Sequence, residues 1–288
     1  ILGSYSMDCE VDLLLLATSV LREFGLTKYS FVLNHRKILE AQLRKAGIPP
    51  EKKADALRAL DKFDKIGYAA IVKEAEGYGI APEAFTAFIS QLGLKADAAP
   101  GAAADAAFDN LAYLAQVDAT LAGDAEGQKS AAELRHIVER ATELGFADRL
   151  RIDPTLARGL DYYTGPIFEA KAFVERHGTT LSFAGGGRYD DLIALYGGQP
   201  QGAVGFSFGV ERLIDLLKEQ VAGEAGLFAG QFVAAGRHRL DAADQAFDGR
   251  GFAEQGVVDR VLRGASLEAL ELVGEGLVAL LAGAQLGE

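Results

Sequence analysis

Between Val11 and Phe24, the apolar residues Val11, Leu14, Leu15, Leu21 and Phe24 fall on one side of a 3.6-residue period and predict a helix that Gly25 ends. The period then shortens. Lys28 to Asn34 alternates polar and apolar positions, predicting a half-buried strand with Tyr29, Phe31 and Leu33 on one face. Helical spacing returns over Arg36 to Lys45, over Glu51 to Asp64 (Leu57, Leu60, Phe63) and over Gly67 to Tyr78, with Pro49-Pro50 marking a helix start. Residues 96–107 are dominated by alanine around one Pro-Gly pair. Such a segment buries little apolar area and reads as a surface connection. The helical stripe is clearest from Ala132 to Leu144, through Leu134, Ile137, Val138, Ala141 and Leu144.

From Arg151 to Tyr196 glycine, tyrosine, phenylalanine and threonine crowd together. Pro166–Val174 and Thr179–Phe183 read as an antiparallel hairpin turning at His177-Gly178. Ala203 to Phe208 is a further apolar strand. It runs into a helix with Val210, Leu213, Ile214 and Leu217 at helical spacing. From Val221 onward there is no lysine, tyrosine, isoleucine, proline, threonine or asparagine, and alanine and glycine dominate. Short helices such as Ser266 to Leu281 are readable there. Each interior glycine costs about 1 kcal/mol against alanine, and no specific fold is assigned.

Composition narrows the classes. The 288 residues suffice for one large domain or two modest ones. A net charge of −12 excludes a broadly basic surface for non-specific nucleic-acid binding. Cys9 is the sole cysteine, which excludes a disulfide framework and a cysteine-rich zinc site. His35, His136, His177 and His238 form no metal signature, and no apolar run reaches the roughly 18 residues of a membrane span. A reduced, soluble, cytoplasmic protein is expected. The chain opens on Ile1-Leu2 and its one methionine is Met7, so a processed or trimmed start is expected as well.

The densest chemistry lies in Leu156-Ala-Arg-Gly-Leu-Asp-Tyr-Tyr-Thr-Gly-Pro-Ile-Phe-Glu169. Arg158, Tyr162 and Tyr163 offer a cation, two phenolic hydroxyls and two aromatic faces, which suits a small ligand with an anionic group and a polar ring. The same residues also read as a core hairpin in which Arg158 pairs with Asp161. In Phe183-Ala-Gly-Gly-Gly-Arg-Tyr-Asp-Asp191, three glycines at a strand end let backbone approach a ligand, or make a tight turn. In Gly202-Ala-Val-Gly-Phe-Ser-Phe-Gly-Val-Glu-Arg-Leu213, a small-residue strand delivers Arg212 to the first turn of a helix. There its guanidinium can stack on a purine and reach a phosphate, or pair at the surface with Glu211 or Asp215. Gly205-Phe-Ser-Phe-Gly209 also fits the GxSxG elbow of a serine hydrolase. Ser207 would then need His238 downstream.

Taken in order, these clusters resemble the catalytic core of the histidyl-tRNA synthetase family of class II aminoacyl-tRNA synthetases. Arg158-Gly-Leu-Asp-Tyr-Tyr163 is similar to the family's first histidine motif and Ala184-Gly-Gly-Gly-Arg-Tyr-Asp190 to its second. Gly205 to Arg212 is similar to class II motif 3. Leu156-Ala-Arg-Gly-Leu-Asp-Tyr-Tyr-Thr-Gly165 is closest to the eukaryotic-type form, and weaker similarity runs through Val32 to Leu39. The resemblance covers residues 8–220.

It implies an α+β fold, with an antiparallel sheet holding the site. Residues 1–39 and 149–220 would form the catalytic core and 40–148 a helical insertion. Residues 221–288 show no likeness to the family's anticodon-binding domain. It further implies activation of histidine by ATP, with Mg2+ bridging phosphates, and transfer to tRNA(His) by a homodimer that does not use a membrane. Arg158 would be the catalytic cation. Tyr162, Tyr163, Tyr189, Gly185 and Gly186 would shape the histidine pocket, together with the Gly187 backbone, and Arg212, Gly205 and Gly209 would hold ATP. Asp8-Cys-Glu-Val-Asp12 matches an acidic helix start. Motifs 1 and 2 are missing, which places the chain's beginning just after motif 2 and predicts that this polypeptide alone does not aminoacylate tRNA. The alternatives are a histidine-binding regulatory paralogue of the ATP-phosphoribosyltransferase type, and a non-catalytic helical scaffold.

Overall fold

The computed structural model describes residues 1–94, 108–157, 162–174 and 178–220. Two compact units arise, Ile1–Leu16 with Lys28–Leu213, and Ala17–Thr27 with Ile214–Glu288, the latter described as far as residue 220. Helix α1 (Asp8–Glu23) opens on Asp8 and Glu10, carboxylates that complement the positive end of its dipole. The acidic stretch is therefore a helix start, as expected. There follow β1 (Ser30–His35), α2 (Arg36–Lys45), α3 (Lys53–Leu60), α4 (Phe63–Gly77), α5 (Pro82–Gln91), α6 (Asn110–Thr120) and α7 (Ala125–Glu143). The chain then returns to β2 (Leu150–Ile152), β3 (Pro166–Val174), β4 (Thr179–Arg188), α8 (Leu192–Leu195), β5 (Val204–Phe208) and a helix α9 over 210–220.

The strands form one sheet in the order β2-β1-β3-β4-β5. All neighbours are antiparallel except β1 and β2. This is the α+β, largely antiparallel architecture that the sequence predicts. A helical core joins Leu39 of α2 to Leu57, Phe63, Ile71, Phe85 and Phe88, and it includes Ala157 from the segment after β2.

Where element and expectation differ, the cause is local. Glu51 to Asp64 is not one helix: a 3-10 turn occupies Pro50–Lys52, α3 ends at Leu60 and α4 begins at Phe63. Gly67 breaks α4 with φ 75° and ψ 176°, a backbone state that glycine takes without a Cβ clash. Phe24 and Leu144 lie just past their helices and are exposed instead of completing the stripes. In α9 the buried positions are Leu213 and Leu216, while Val210 and Ile214 face solvent. Strand β1 is buried on both faces from Phe31 to His35, because elements packed on the sheet, α2 and α7 among them, cover it.

His35 closes β1 and caps α2. Its Nδ1 accepts the Lys37 N–H at 3.1 Å, and its Nε2 lies 2.8 Å from Glu133 of α7. An accepting Nδ1 requires the neutral ring, with Nε2–H donating to the carboxylate. Burial holds the imidazole pKa below its ordinary value; Glu133 and Glu40 oppose this and Lys37 reinforces it. A depressed folded pKa gives stability that is complete above about pH 6.5 and is lost as pH falls from there toward the folded value. The melting temperature should therefore drop between about pH 7.5 and pH 5.5. His35→Asn, which keeps a capping acceptor, should flatten that drop. Parallel melting curves for the two proteins across the interval would refute the assignment.

Candidate functional site

Cross-strand partners share a sheet face. The register puts Val32, Glu169, Gly185 and Ser207 on one face beside Asn34, Ile167, Gly187 and Gly205. Leu33, Phe168, Gly186 and Phe206 line the other. That second face is aromatic: the Phe206 ring meets Phe31, Phe168 and Phe208 at 5.9, 5.7 and 5.2 Å between centroids.

The first face has a glycine floor and a tyrosine wall. The Tyr163 ring lies 2.8 Å from where a Cβ on Gly187 would sit. The Tyr189 hydroxyl is closer still to the Cβ position of Gly205. The rings of Tyr162, Tyr163 and Tyr189 converge, at 4.7 Å for 162–163, 6.1 Å for 162–189 and 6.4 Å for 163–189. Burial, a hydrogen bond with Tyr162 and the nearby Glu169 carboxylate hold the Tyr163 phenol above the ordinary tyrosine range. It is a proton donor at neutral pH.

The glycine run departs from expectation. Gly185 to Gly187 lie inside β4, which continues to Arg188, so they form neither a turn nor a strand end. They are small because neighbouring groups occupy the space. Gly187 yields to Tyr163, and Gly186 yields to Phe168 and the β5 backbone on the aromatic face, away from the tyrosines. Gly185 alone keeps an open position, its Cβ site 3.5 Å from the Phe168 carbonyl and 3.8 Å from Glu169 Cγ. Gly205 makes room for Tyr189, and the Gly209 N–H donates to the Phe183 carbonyl at 2.7 Å. Arg212 pairs with neither Glu211 nor Asp215. Its Nη1 donates to the Ser182 carbonyl at 2.6 Å, which holds the guanidinium beside the first half of β4.

Arg158 and Asp161 lie outside the described residues, as do His177, His238, residues 96–107 and the segment from 221 that includes Ser266 to Leu281. The approach to Arg158 is described. Asn34 Nδ2 donates to the carbonyls of Pro154 and Leu156 at 3.3 and 3.0 Å, and the Asp153 N–H donates to Leu33 at 2.8 Å. Leu156 packs with Val32, Ile167 and Tyr163. Leu156 thus lies on the tyrosine face, while Ala157 packs in the helical core.

Ser207 is paired with Gly185 within β5. Among the described residues every positive φ belongs to glycine. A nucleophile elbow needs its serine on a strained strand-to-helix turn, so the hydrolase reading has no geometry to support it.

Two residues escaped the reading of the motifs. Arg188 is buried, and its Nε and Nη2 donate to the two oxygens of buried Glu10 at 2.6 and 2.7 Å. The one local signal is adjacency: an arginine beside Tyr189 at the end of a strand. Glu10 had none, being 178 residues away. Among the described residues no cluster of three or more His, Cys, Asp or Glu could hold a metal ion, and no helix is long and apolar enough to cross a membrane.

Comparison with known proteins identifies the family and the fold. The family model for histidyl-tRNA synthetase matches residues 1–213. The histidine–tRNA ligase of Ruegeria pomeroyi is 36% identical over 231 residues, 76% of this chain and 46% of that protein. That of Brucella suis biovar 1 is 34% identical over 232 residues, 75% of this chain and 46% of its own length. The chain thus spans about half the length of these relatives. Among solved structures, a histidyl-tRNA synthetase from Nostoc sp. PCC 7120 aligns with TM-score 0.64 at 22% identity, over 90% of this chain and 62% of that one. A Bacillus halodurans protein titled an ATP phosphoribosyltransferase regulatory subunit/histidyl-tRNA synthetase aligns with TM-score 0.61 at 19% identity, over 75% and 52% of the respective chains. At those identities the structures establish the shared fold, and the sequence match establishes the rest: the chain belongs to the histidyl-tRNA synthetase family.

Proposed function

We propose that the chain carries the histidine-binding part of a histidine–tRNA ligase core, which activates histidine with ATP for transfer to tRNA(His). One observation carries the reading. Three tyrosine rings close over a glycine-floored stretch of sheet, on the face where Leu156 packs against Tyr163. A flat, polar imidazole fits between aromatic walls, and a protonated Tyr163 can donate to its unprotonated nitrogen. Arg158 would neutralise the α-phosphate as the histidine carboxylate attacks, and Arg212 would lie against adenine and the γ-phosphate. Mg2+ would arrive with ATP, held by phosphate oxygens. The complete protein would act as a cytoplasmic homodimer, with 40–148 as its helical insertion and 149–220 carrying the histidine motifs.

Isothermal titration calorimetry of the chain with L-histidine tests this. Wild type should bind, and both Arg158→Ala and Tyr163→Phe should lose affinity, by about tenfold or more where a charge-assisted hydrogen bond is removed. Absence of binding by the wild type would end the reading. The fold shared with the Bacillus halodurans protein, which is named in part as a regulatory subunit, leaves one other reading, a regulatory paralogue. Histidine binding without histidine-dependent ATP–pyrophosphate exchange in the full-length protein would select it.

A further inference from the structure

Among the described residues no hydrogen bond anchors the Tyr189 side chain in the wall, yet its backbone and the residues on either side of it are tightly held. The Arg188 carbonyl accepts the Thr164 N–H at 2.8 Å, and the Asp190 N–H donates to Thr164 Oγ1 at 3.1 Å. Thr164 directly follows Tyr162 and Tyr163. The Tyr189 N–H donates to the Ala203 carbonyl, and the Ala203 N–H donates to Asp190 Oδ1, both at 2.8 Å. The two tyrosine-bearing segments and the entry to β5 therefore meet at residues 188–190.

At the centre of this junction is the Arg188 side chain. All five guanidinium N–H groups are used: Nε and one Nη2 hydrogen on Glu10, the other Nη2 hydrogen on the Ser6 carbonyl at 3.0 Å, and Nη1 on the Ser4 carbonyl and Asp190 Oδ1, both at 3.1 Å. Its stem lies on Gly165, with Cβ and Cδ 3.1 Å from where a Cβ there would sit. No donor is left for a ligand, so Arg188 acts through its neighbours.

We propose that Arg188 is a positioning residue for the histidine site: bridged to Glu10 and Asp190, it fixes Tyr189 and the Tyr162–Thr164 segment over the glycine floor. The ligand side of this inference rests on the site reading above; the positioning side does not. Burial of Glu10 raises its carboxyl pKa while Arg188 pulls it down, and Glu10 in turn holds Arg188 protonated.

The test uses the whole chain and a paired variant, Arg188→Met with Glu10→Met, which removes both charges together and leaves no buried ion unpaired. Two readouts are taken. The first is affinity for L-histidine against affinity for ATP. Histidine Kd should rise about tenfold or more, as expected for a wall displaced by a fraction of an ångström, while ATP Kd should stay within about twofold. A merely structural defect would weaken both alike and would refute the proposal. The second is the 19F NMR spectrum of 3-fluorotyrosine-labelled protein, with the Tyr189 line identified by Tyr189→Phe. That line should move in the paired variant. A folded variant with an unmoved Tyr189 line overturns the proposal even if no ligand binds, so failure of the site reading and failure of this inference remain distinct. Arg188→Lys should not restore either readout, because one ammonium cannot reach Glu10, Ser4, Ser6 and Asp190 together. Full rescue by lysine would count equally against it.

Discussion

Gly186→Ala should lower the free energy of unfolding by about 3 kcal/mol, the upper end of what overpacking a core costs. The added methyl would collide with main chain: the Gly205 carbonyl on the neighbouring strand, and Phe206 Cα at 2.9 Å. It would also meet the Phe168 ring at 2.8 Å. A side chain can rotate away from such a contact, whereas a hydrogen-bonded strand can yield only by breaking its register with β4. The adjacent Gly185→Ala supplies the control, since its methyl makes ordinary contacts of 3.5 and 3.8 Å. Alanine there also loses less chain entropy on folding than glycine, so its cost should be close to zero. Urea denaturation of the two variants decides the matter. Similar midpoints would mean that the run is not shaped by its neighbours.

Gly205→Ala should have the opposite profile, with histidine affinity falling about a hundredfold while stability falls by only about 1 kcal/mol. Its methyl would point toward the tyrosine face and meet the hydroxyl end of Tyr189, with the ring atoms at 3.2 Å. A phenol can swing aside at little cost to the fold. Swinging aside removes the wall that would define the imidazole's place. Calorimetric titration with histidine, paired with a urea curve on the same variant, reads both quantities. Wild-type affinity in folded Gly205→Ala would take Tyr189 out of the site.

Much of this molecule is written locally. The bounds of α2 and β3 follow from periodicity, as does the buried stripe of α7 through Ala141. The tyrosines were legible because two of the three are adjacent and the third sits in a motif of known order; their convergence is what the fold adds. The glycine run was misread because strand interiors ordinarily exclude glycine. Its reason lies in other segments, in Phe168, Tyr163 and the backbone of β5. The register turns the Cβ position of Gly186 to the aromatic face, which no local pattern predicts. The Arg188–Glu10 pair joins positions that no local pattern connects. Motif order pointed to the family, and pairing between distant segments decided which motif residues share the tyrosine face.

Strands β1 and β2 run side by side, yet α2 through α7 lie between them in the chain. Parallel neighbours always need a crossover, and the entropy of closing one grows only by about 0.6 kcal/mol per doubling of its length. Chain entropy alone therefore puts little cost on the length of the helical excursion; what ties it to the sheet is packing, as His35 of β1 shows by capping α2 and meeting Glu133 of α7. Kinetics respond differently. The β1–β2 ladder joins residues far apart in sequence, and such contacts slow the search for the native topology. A change in the length of the excursion would show first in how fast the protein folds.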